Sequence, residues 1–174
     1  MIARLLYDKG YVEYVKAAKI IRERHPDVEF LLLGRIDTEY PNHVPAEVVE
    51  QDVQDGYIRY LGFVSDVRSI VLSADCIVHP TYYYEGMSRV LMEAMALSKP
   101  IITTTIPGCV ETVDEGVNGY LVKPRDVDSL IEAISSFLSL SDEEQKMMGE
   151  NGRKKVEKEF DVKNVIAVYR QITG

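Results

Sequence analysis

The chain has 174 residues, 46% of them hydrophobic and 28% charged, ordinary proportions for one globular domain burying about 70% of its unfolded surface. That apolar content excludes disorder, and two cysteines exclude a disulfide scaffold. Twenty Lys and Arg against 28 Asp and Glu leave a net charge of −8, which excludes broad nucleic-acid binding but not a local anion site. No apolar run approaches the ~20 residues of a membrane span and no signal-peptide pattern is present, so a cytoplasmic, reduced setting is expected.

Residues 1–6 form a short apolar run interrupted by Arg4, followed by a turn at 7–10. A helical stripe of Tyr11, Tyr14, Val15, Ala18 and Ile21 comes next and ends at His25-Pro26-Asp27. Residues 28–33 read as a buried strand ending at Gly34. Residues 35–55 are polar, with Pro41 and Pro45, and predict a loop holding one short helix. Residues 57–61 alternate like a strand, a turn follows at 62–64, and Ser65 is placed to cap a short helix through Ala74. A buried strand is expected at 76–79, then a loop over 80–86 with three successive tyrosines. Residues 87–97 predict a helix, with Met87, Val90, Leu91, Ala94 and Met95 on its core face. A strand at 101–103, a short helix through Glu115, a turn at 116–119 and a last strand at 120–122 follow. Asp126 caps a helix carrying Leu130, Ile131, Ile134, Phe137 and Leu138, and Ser141 with Glu144 forms a capping box for a charged helix to about Glu159. A final helix is expected around Val162, Val165, Ile166, Tyr169 and Ile172.

Strands alternating with helices predict βαβ units and a doubly wound, Rossmann-like parallel sheet, α/β in class. The chain starts inside a presumptive central strand, which suggests part of something larger, a short native terminus being the plainer alternative.

In such a sheet the ligand lies beyond the carboxyl ends of the strands. Those ends bring together Arg4, Lys9, the glycines at 34, 62 and 86, and the start of the 87–97 helix. A helix start with a bidentate Arg4 and a point-charge Lys9 describes a phosphate or diphosphate site. Taken singly, each cation is as well explained as a solvated turn lysine and a paired sheet arginine. Neither G-x-G-x-x-G after the first strand nor G-x-x-x-x-G-K-[ST] is present, and neither is a metal spacing or a G-x-S-x-G elbow. Tyr82, Tyr83 and Tyr84 could stack on a sugar or base, or anchor their loop by their ring faces. Glu85 and Glu93 bracket the helix start, with Glu93 about 10 Å beyond it, the span from a sugar across a diphosphate to a ribose. Arg89 and Glu93 could equally be an i,i+4 surface pair.

Together, E-G-M-S-R-V-L-M-E-A-M-A-L-S-K-P over 85–100 resembles the E-x7-E signature of retaining GT-B glycosyltransferases of family 4. I-A-R-L-L-Y-D-K-G over 2–10, Y-L-G-F-V-S-D-V over 60–67 and P-I-I-T-T-T-I-P-G-C-V-E-T-V-D-E-G-V-N-G-Y-L-V over 100–122 are similar to the same family in the same order. The likeness covers essentially the whole chain and matches the C-terminal, nucleotide-sugar-binding half of that two-domain fold. It implies one domain over 1–174, with an upstream acceptor-binding domain absent from this chain.

The resemblance implies that Arg4 and Lys9 neutralise the donor diphosphate and assist its departure, with Glu85 on donor-sugar hydroxyls. It puts the N–H groups of Gly86, Met87 and Ser88 under the phosphates and sugar, Glu93 on the ribose, and Val64 beside the base. No cofactor or metal is implied. The donor would be a nucleoside diphosphate sugar, a UDP-sugar being favoured. The acceptor would be a glycan or lipid-linked saccharide held by the missing N-terminal domain, at the inner face of the membrane, and the isolated chain would not turn over. A GT-B nucleotide-sugar epimerase and a non-catalytic α/β module, such as a phosphoreceiver, are the competing readings. The last helix, with Val165, Ile166 and Tyr169, is expected to leave apolar surface for dimerisation.

Overall fold

A computed structural model describes residues 1–84 and 86–161. In chain order these form α1 (Tyr11–Arg24), β1 (Leu31–Leu32), α2 (Ala46–Gln54), β2 (Arg59–Tyr60), α3 (Arg68–Ser73), β3 (Ile77–His79), α4 (Arg89–Ala96), β4 (Ile101–Thr104), β5 (Gly119–Val122), α5 (Val127–Leu138) and α6 (Asp142–Glu159). Single 3-10 turns lie at Tyr7–Lys9 and Val110–Thr112. β1 pairs with β2 in parallel, Leu31 against Arg59. β3, β4 and β5 form a second parallel sheet in that order, with Ile77 against Ile101 and Ile101 against Gly119. Residues 1–5 lie along β1 as a partial parallel ladder, in which Leu33 N–H donates to Met1 O and Ala3 N–H to Leu33 O, both at 3.0 Å.

The sheets are covered on both faces, as a doubly wound fold requires. α1 packs on α5, and α4 packs on α6. Period-two alternation along each strand feeds two cores. Leu32, Val78, Ile102 and Val122 point into the one with α1 and α5. Ile77, Ile101 and Leu121 point into the one with α4. Fully buried side chains such as Ile21, Leu32, Leu91 and Leu130 each contribute about 1.5–3 kcal/mol of transfer free energy.

Several sequence-derived boundaries shift. The strand expected at 28–33 narrows to Leu31–Leu32, because residues 28–30 border a cavity instead of a second neighbouring strand. The cap expected from Ser65 is displaced. Asp66 Oδ1 accepts from the Arg68 N–H at 3.1 Å while its carboxylate holds the Arg68 guanidinium at 2.7 Å, so α3 starts at Arg68. α4 starts two residues later than expected, with Ser88 as N-cap. Met87 therefore precedes the helix and is 37% exposed, whereas Leu91, Ala94 and Met95 are buried and Val90 is partly buried. The short helix before Glu115 is a 3-10 turn whose chain becomes extended at Val113. The caps from Asp126 and from the Ser141–Glu144 box form as expected. The final helix expected around Val162–Ile172, and with it the apolar surface of Val165, Ile166 and Tyr169, lies outside the described residues.

Candidate functional site

Loops from four strand ends meet along one edge. After β1, Gly34 N–H donates to Gly62 O at 2.9 Å, tying that loop to the one after β2. After β3, Tyr82 N–H donates to Asp8 O at 2.9 Å, and Thr81 Oγ1 reaches the same carbonyl at 3.3 Å, which joins the tyrosine loop to the 3-10 turn carrying Lys9. After β4, Gly108 O accepts from Ser88 N–H at 3.0 Å, which fixes the start of α4. Gly10 closes the turn at φ +83, where a Cβ would collide with the Pro80 carbonyl. This edge thus gathers Arg4, Lys9, Val64, Gly86, Met87 and Ser88.

The two cations sit in different surroundings. Arg4 is 34% exposed at its side chain, with its guanidinium carbon 4.3 Å from the Tyr40 ring centre. Its Nη1 lies 3.5 Å from Asp37 Oδ2, and Arg35 approaches that same oxygen at 3.5 Å. Contacts of that length are weak hydrogen bonds, so a doubly charged anion could compete for the fork. Hydrogen bonding to Tyr40 and the carboxylate of Asp37 push the Arg4 pKa up, outweighing burial. Lys9 is only 5% exposed, and its Nζ lies 4.5 Å from the Tyr83 ring centre. Tyr82 in turn faces the Arg125 guanidinium at 4.4 Å. Two of the three tyrosines therefore anchor the loop by their ring faces, while Tyr84 is exposed.

Beyond Ser88, α4 presents the N–H groups of its first turn, and Met92 is the first to donate back, to Ser88 O at 3.1 Å. The Ser88 N–H, committed to Gly108, differs from the open donor expected of it. The Ser88 side chain makes no capping bond. Glu93 is exposed four residues into the helix, about 6 Å along its axis instead of about 10 Å, since residues 86–88 are not helical. Among the described residues it forms no ion pair with Arg89 or any other group, so the i,i+4 surface pairing is not formed. Val64 is partly buried in the loop after β2, beside exposed Phe63. Glu85 lies outside the described residues.

Sequence reasoning missed a polar layer beneath this edge. Both ring nitrogens of His79, Asp8 Oδ1 and Glu13 Oε2 are buried with no hydrogen-bond partner among the described residues. Burial, with Lys9 adding to it, pushes His79 down to about 3. Asp37 and Tyr40 around Arg4 were missed as well, because they sit 33 residues or more along a loop with no periodic signal. Among the described residues no group of three or more His, Cys, Asp or Glu side chains is arranged to hold a metal ion. No described helix is long and apolar enough to cross a membrane.

Comparison with known proteins gives a consistent answer. The family model "Glycosyl transferases group 1" matches residues 1–155. The capsular polysaccharide biosynthesis glycosyltransferase CapM of Staphylococcus aureus is 31% identical over 91% of this chain and 41% of its own length. The N,N'-diacetylbacillosaminyl-diphospho-undecaprenol alpha-1,3-N-acetylgalactosaminyltransferase of Campylobacter jejuni is 32% identical over 79% of the chain and 34% of its own. The crystal structure of Anabaena Alr3699/HepE in complex with UDP superposes with a TM-score of 0.81 over 99% of this chain and 46% of that one, at 23% identity, and shows the same Rossmann-like α/β fold over that part. The chain spans less than half the length of these relatives. It belongs to the group 1 glycosyl transferases.

Proposed function

We propose that this chain holds the nucleoside diphosphate sugar of a retaining glycosyltransferase, with UDP as the favoured nucleotide. The observation that carries the reading is the pairing of a buried Lys9 with a loosely held Arg4 on the strand-end edge where α4 begins. A low-dielectric lysine and a planar fork together suit a diphosphate better than either does alone. In the transfer step the bond from the anomeric carbon to the diphosphate oxygen breaks, the acceptor hydroxyl oxygen takes its place on the same face, and the hydroxyl proton passes to the departing diphosphate oxygen. The negative charge that collects on the departing diphosphate is what Arg4 and Lys9 stabilise, an electrostatic form of catalysis. Gly86 and Met87 supply backbone N–H groups, Ser88 its hydroxyl, and Glu85 contacts the donor sugar. Glu93, exposed and without an ion-pair partner among the described residues, accepts from the ribose hydroxyls, and Val64 lies beside the base.

The acceptor, a glycan or lipid-linked saccharide, is held by an N-terminal domain outside this chain, at the cytoplasmic face of the membrane. Residues 1–174 alone bind donor weakly and do not turn over. Calorimetric titration with UDP and GDP tests the binding half. UDP should bind more tightly than GDP, and Glu93→Ala should weaken UDP by about 10–100-fold, the worth of hydrogen bonds to a charged acceptor. Equal affinity in both proteins would remove Glu93 from the site. Sugar transfer by the chain alone would refute the turnover claim.

A further inference from the structure

A groove of about 290 Å³ runs between α2 and the end of β2. Ala46, Val49, Glu50 and Val53 form its helical side, and Ile36 and Tyr60 form the other. Those helix positions recur at three- and four-residue spacing, so a single face of α2 borders the groove over two turns, about 10 Å. Val49 is buried at its base, whereas Val53 is 39% exposed. The helix does not close against Ile36 and Tyr60, and an apolar trough is left open along it.

The charge around this trough is of one sign. Residues 36–58 carry the carboxylates of Asp37, Glu39, Glu47, Glu50, Asp52 and Asp55, and neither Lys nor Arg. Two of these are engaged within the chain, Asp37 with Arg4 and Arg35, and Asp52 by accepting from Tyr11 Oη at 2.6 Å. Glu50 lines the groove, and Glu47, its neighbour one turn back on the helix surface, borders it. Both are exposed and form no ion pair among the described residues. At the carboxyl-terminal end of α2 the last turn holds Asp52 and no cation, and Asp55 is the C-cap residue. Asp55 accepts from Gln51 Nε2 at 2.8 Å but meets no cation among the described residues. That end is the negative pole of the helix dipole, where a cation stabilises and a carboxylate does the reverse. A local rule broken with no compensation nearby points to positive charge supplied from outside.

We propose that the groove between α2 and the end of β2 seats a basic amphipathic helix of another protein. Its apolar residues, spaced at i, i+3, i+4 and i+7, enter the trough beside Val49 and Val53, the helix-in-groove mode of recognition. Its lysines or arginines meet Glu47 and Glu50 along the rim and the carboxyl-terminal end of α2 at Asp55. An extended peptide fits less well, because β2 is only Arg59–Tyr60 and offers too short an edge to template a strand. An anionic lipid surface is repelled by the same carboxylates. A second copy of this chain offers α1, with Lys16, Lys19 and Arg24 exposed, but that helix commits its apolar residues to the core. None of the groove residues belongs to the donor edge, so the inference stands apart from nucleotide binding and survives its failure.

The probe is an acetylated and amidated peptide of leucine and lysine, about 14 residues long, with its leucines on one helical face. A scrambled peptide of the same composition, with no apolar face, is the control. Titrated into the isotope-labelled chain, the amphipathic peptide should shift the signals of Ala46, Val49 and Val53 and bind about tenfold more tightly than the scrambled one. Val53→Ser, at a partly exposed position, should weaken it about 5–10-fold whatever the salt. Glu47→Gln together with Glu50→Gln should weaken it about tenfold at about 50 mM salt and little at about 500 mM. Equal binding of the two peptides, or shifts that avoid α2, would overturn the proposal, because the net charge of −8 alone would then be at work. So would sedimentation with phosphatidylglycerol vesicles that Val53→Ser abolishes, which assigns the groove to a membrane. A dimer of the peptide-free chain that Val53→Ser dissolves overturns it as well, since the groove then belongs to a second copy. Should Val53→Ser fail to fold, Val53→Ala replaces it, and unmoved α2 signals in the unsubstituted chain at millimolar peptide contradict the proposal without any variant.

Discussion

Lys9 shows how burial turns one side chain into a strong electrostatic element. At 5% exposure its charge is little screened by water or salt, whereas Arg4 remains one-third exposed and its field is weaker. Lys9→Met keeps the length and removes the charge. UDP affinity by calorimetry should fall about 10–100-fold, and unchanged affinity would take Lys9 out of the site. Asp37 is the opposing charge beside Arg4, and Tyr40 keeps the guanidinium in place without it. Asp37→Asn should therefore tighten UDP by a few-fold, whereas weaker binding would mean that the carboxylate positions the arginine. The roles proposed for Arg4, Lys9 and Glu93 were legible because they sit inside spaced motifs. Asp37, Tyr40 and the buried His79 were not, because their neighbours come from distant segments that only the folded chain brings together.

At the scale of elements, local chemistry was read well where a side chain acts within its own turn. Asp126 accepts from Ser129 N–H at 2.9 Å, and Ser141 and Glu144 exchange bonds across the first turn of α6. Asp126→Ala should cost about 1 kcal/mol in urea unfolding, while Ser65→Ala, at the mistaken cap, should change nothing measurable. The reverse order of effects would invalidate the assigned caps. The helix at 87–97 was placed correctly but started early, because periodicity is blind to the Ser88–Gly108 bond that holds residue 88 extended. The first three strands were drawn too long for a related reason, since apolar runs register burial while a strand also needs a partner on its edge, whereas β4 and β5 each run one residue beyond the expected bounds. Gly10 carries a constraint that composition cannot reveal. Gly10→Ala would meet the Pro80 carbonyl at φ +83, and unfolding should show a loss of about 1–3 kcal/mol.

For the whole molecule, the doubly wound plan followed from the alternation of periods, and the two cores on either side of the sheets agree with it. The split into a two-stranded and a three-stranded sheet was not legible, since apolar runs do not reveal which strands pair. Two buried groups make stability depend on pH. Burial holds the terminal amine at about 5 against an ordinary 8.0, and His79 at about 3 against 6.5. Below pH 8 for the amine and 6.5 for the imidazole the unfolded chain binds protons that the folded chain refuses. Stability contributed by these groups is thus complete above pH 8 and declines as pH falls towards 3. Urea melts at pH 8, 6.5 and 5 should show this fall, and acetylation of the terminus should remove the part between 8 and 5. A flat profile for the unmodified chain would contradict the buried amine.

The most direct test of the donor-site account is a crystal structure of the chain with UDP. The account predicts the diphosphate against the start of α4, its oxygens about 3 Å from the side-chain nitrogens of Arg4 and Lys9, with Glu93 on the ribose. A diphosphate bound away from that edge, or at it with Arg4 and Lys9 both turned elsewhere, would contradict it.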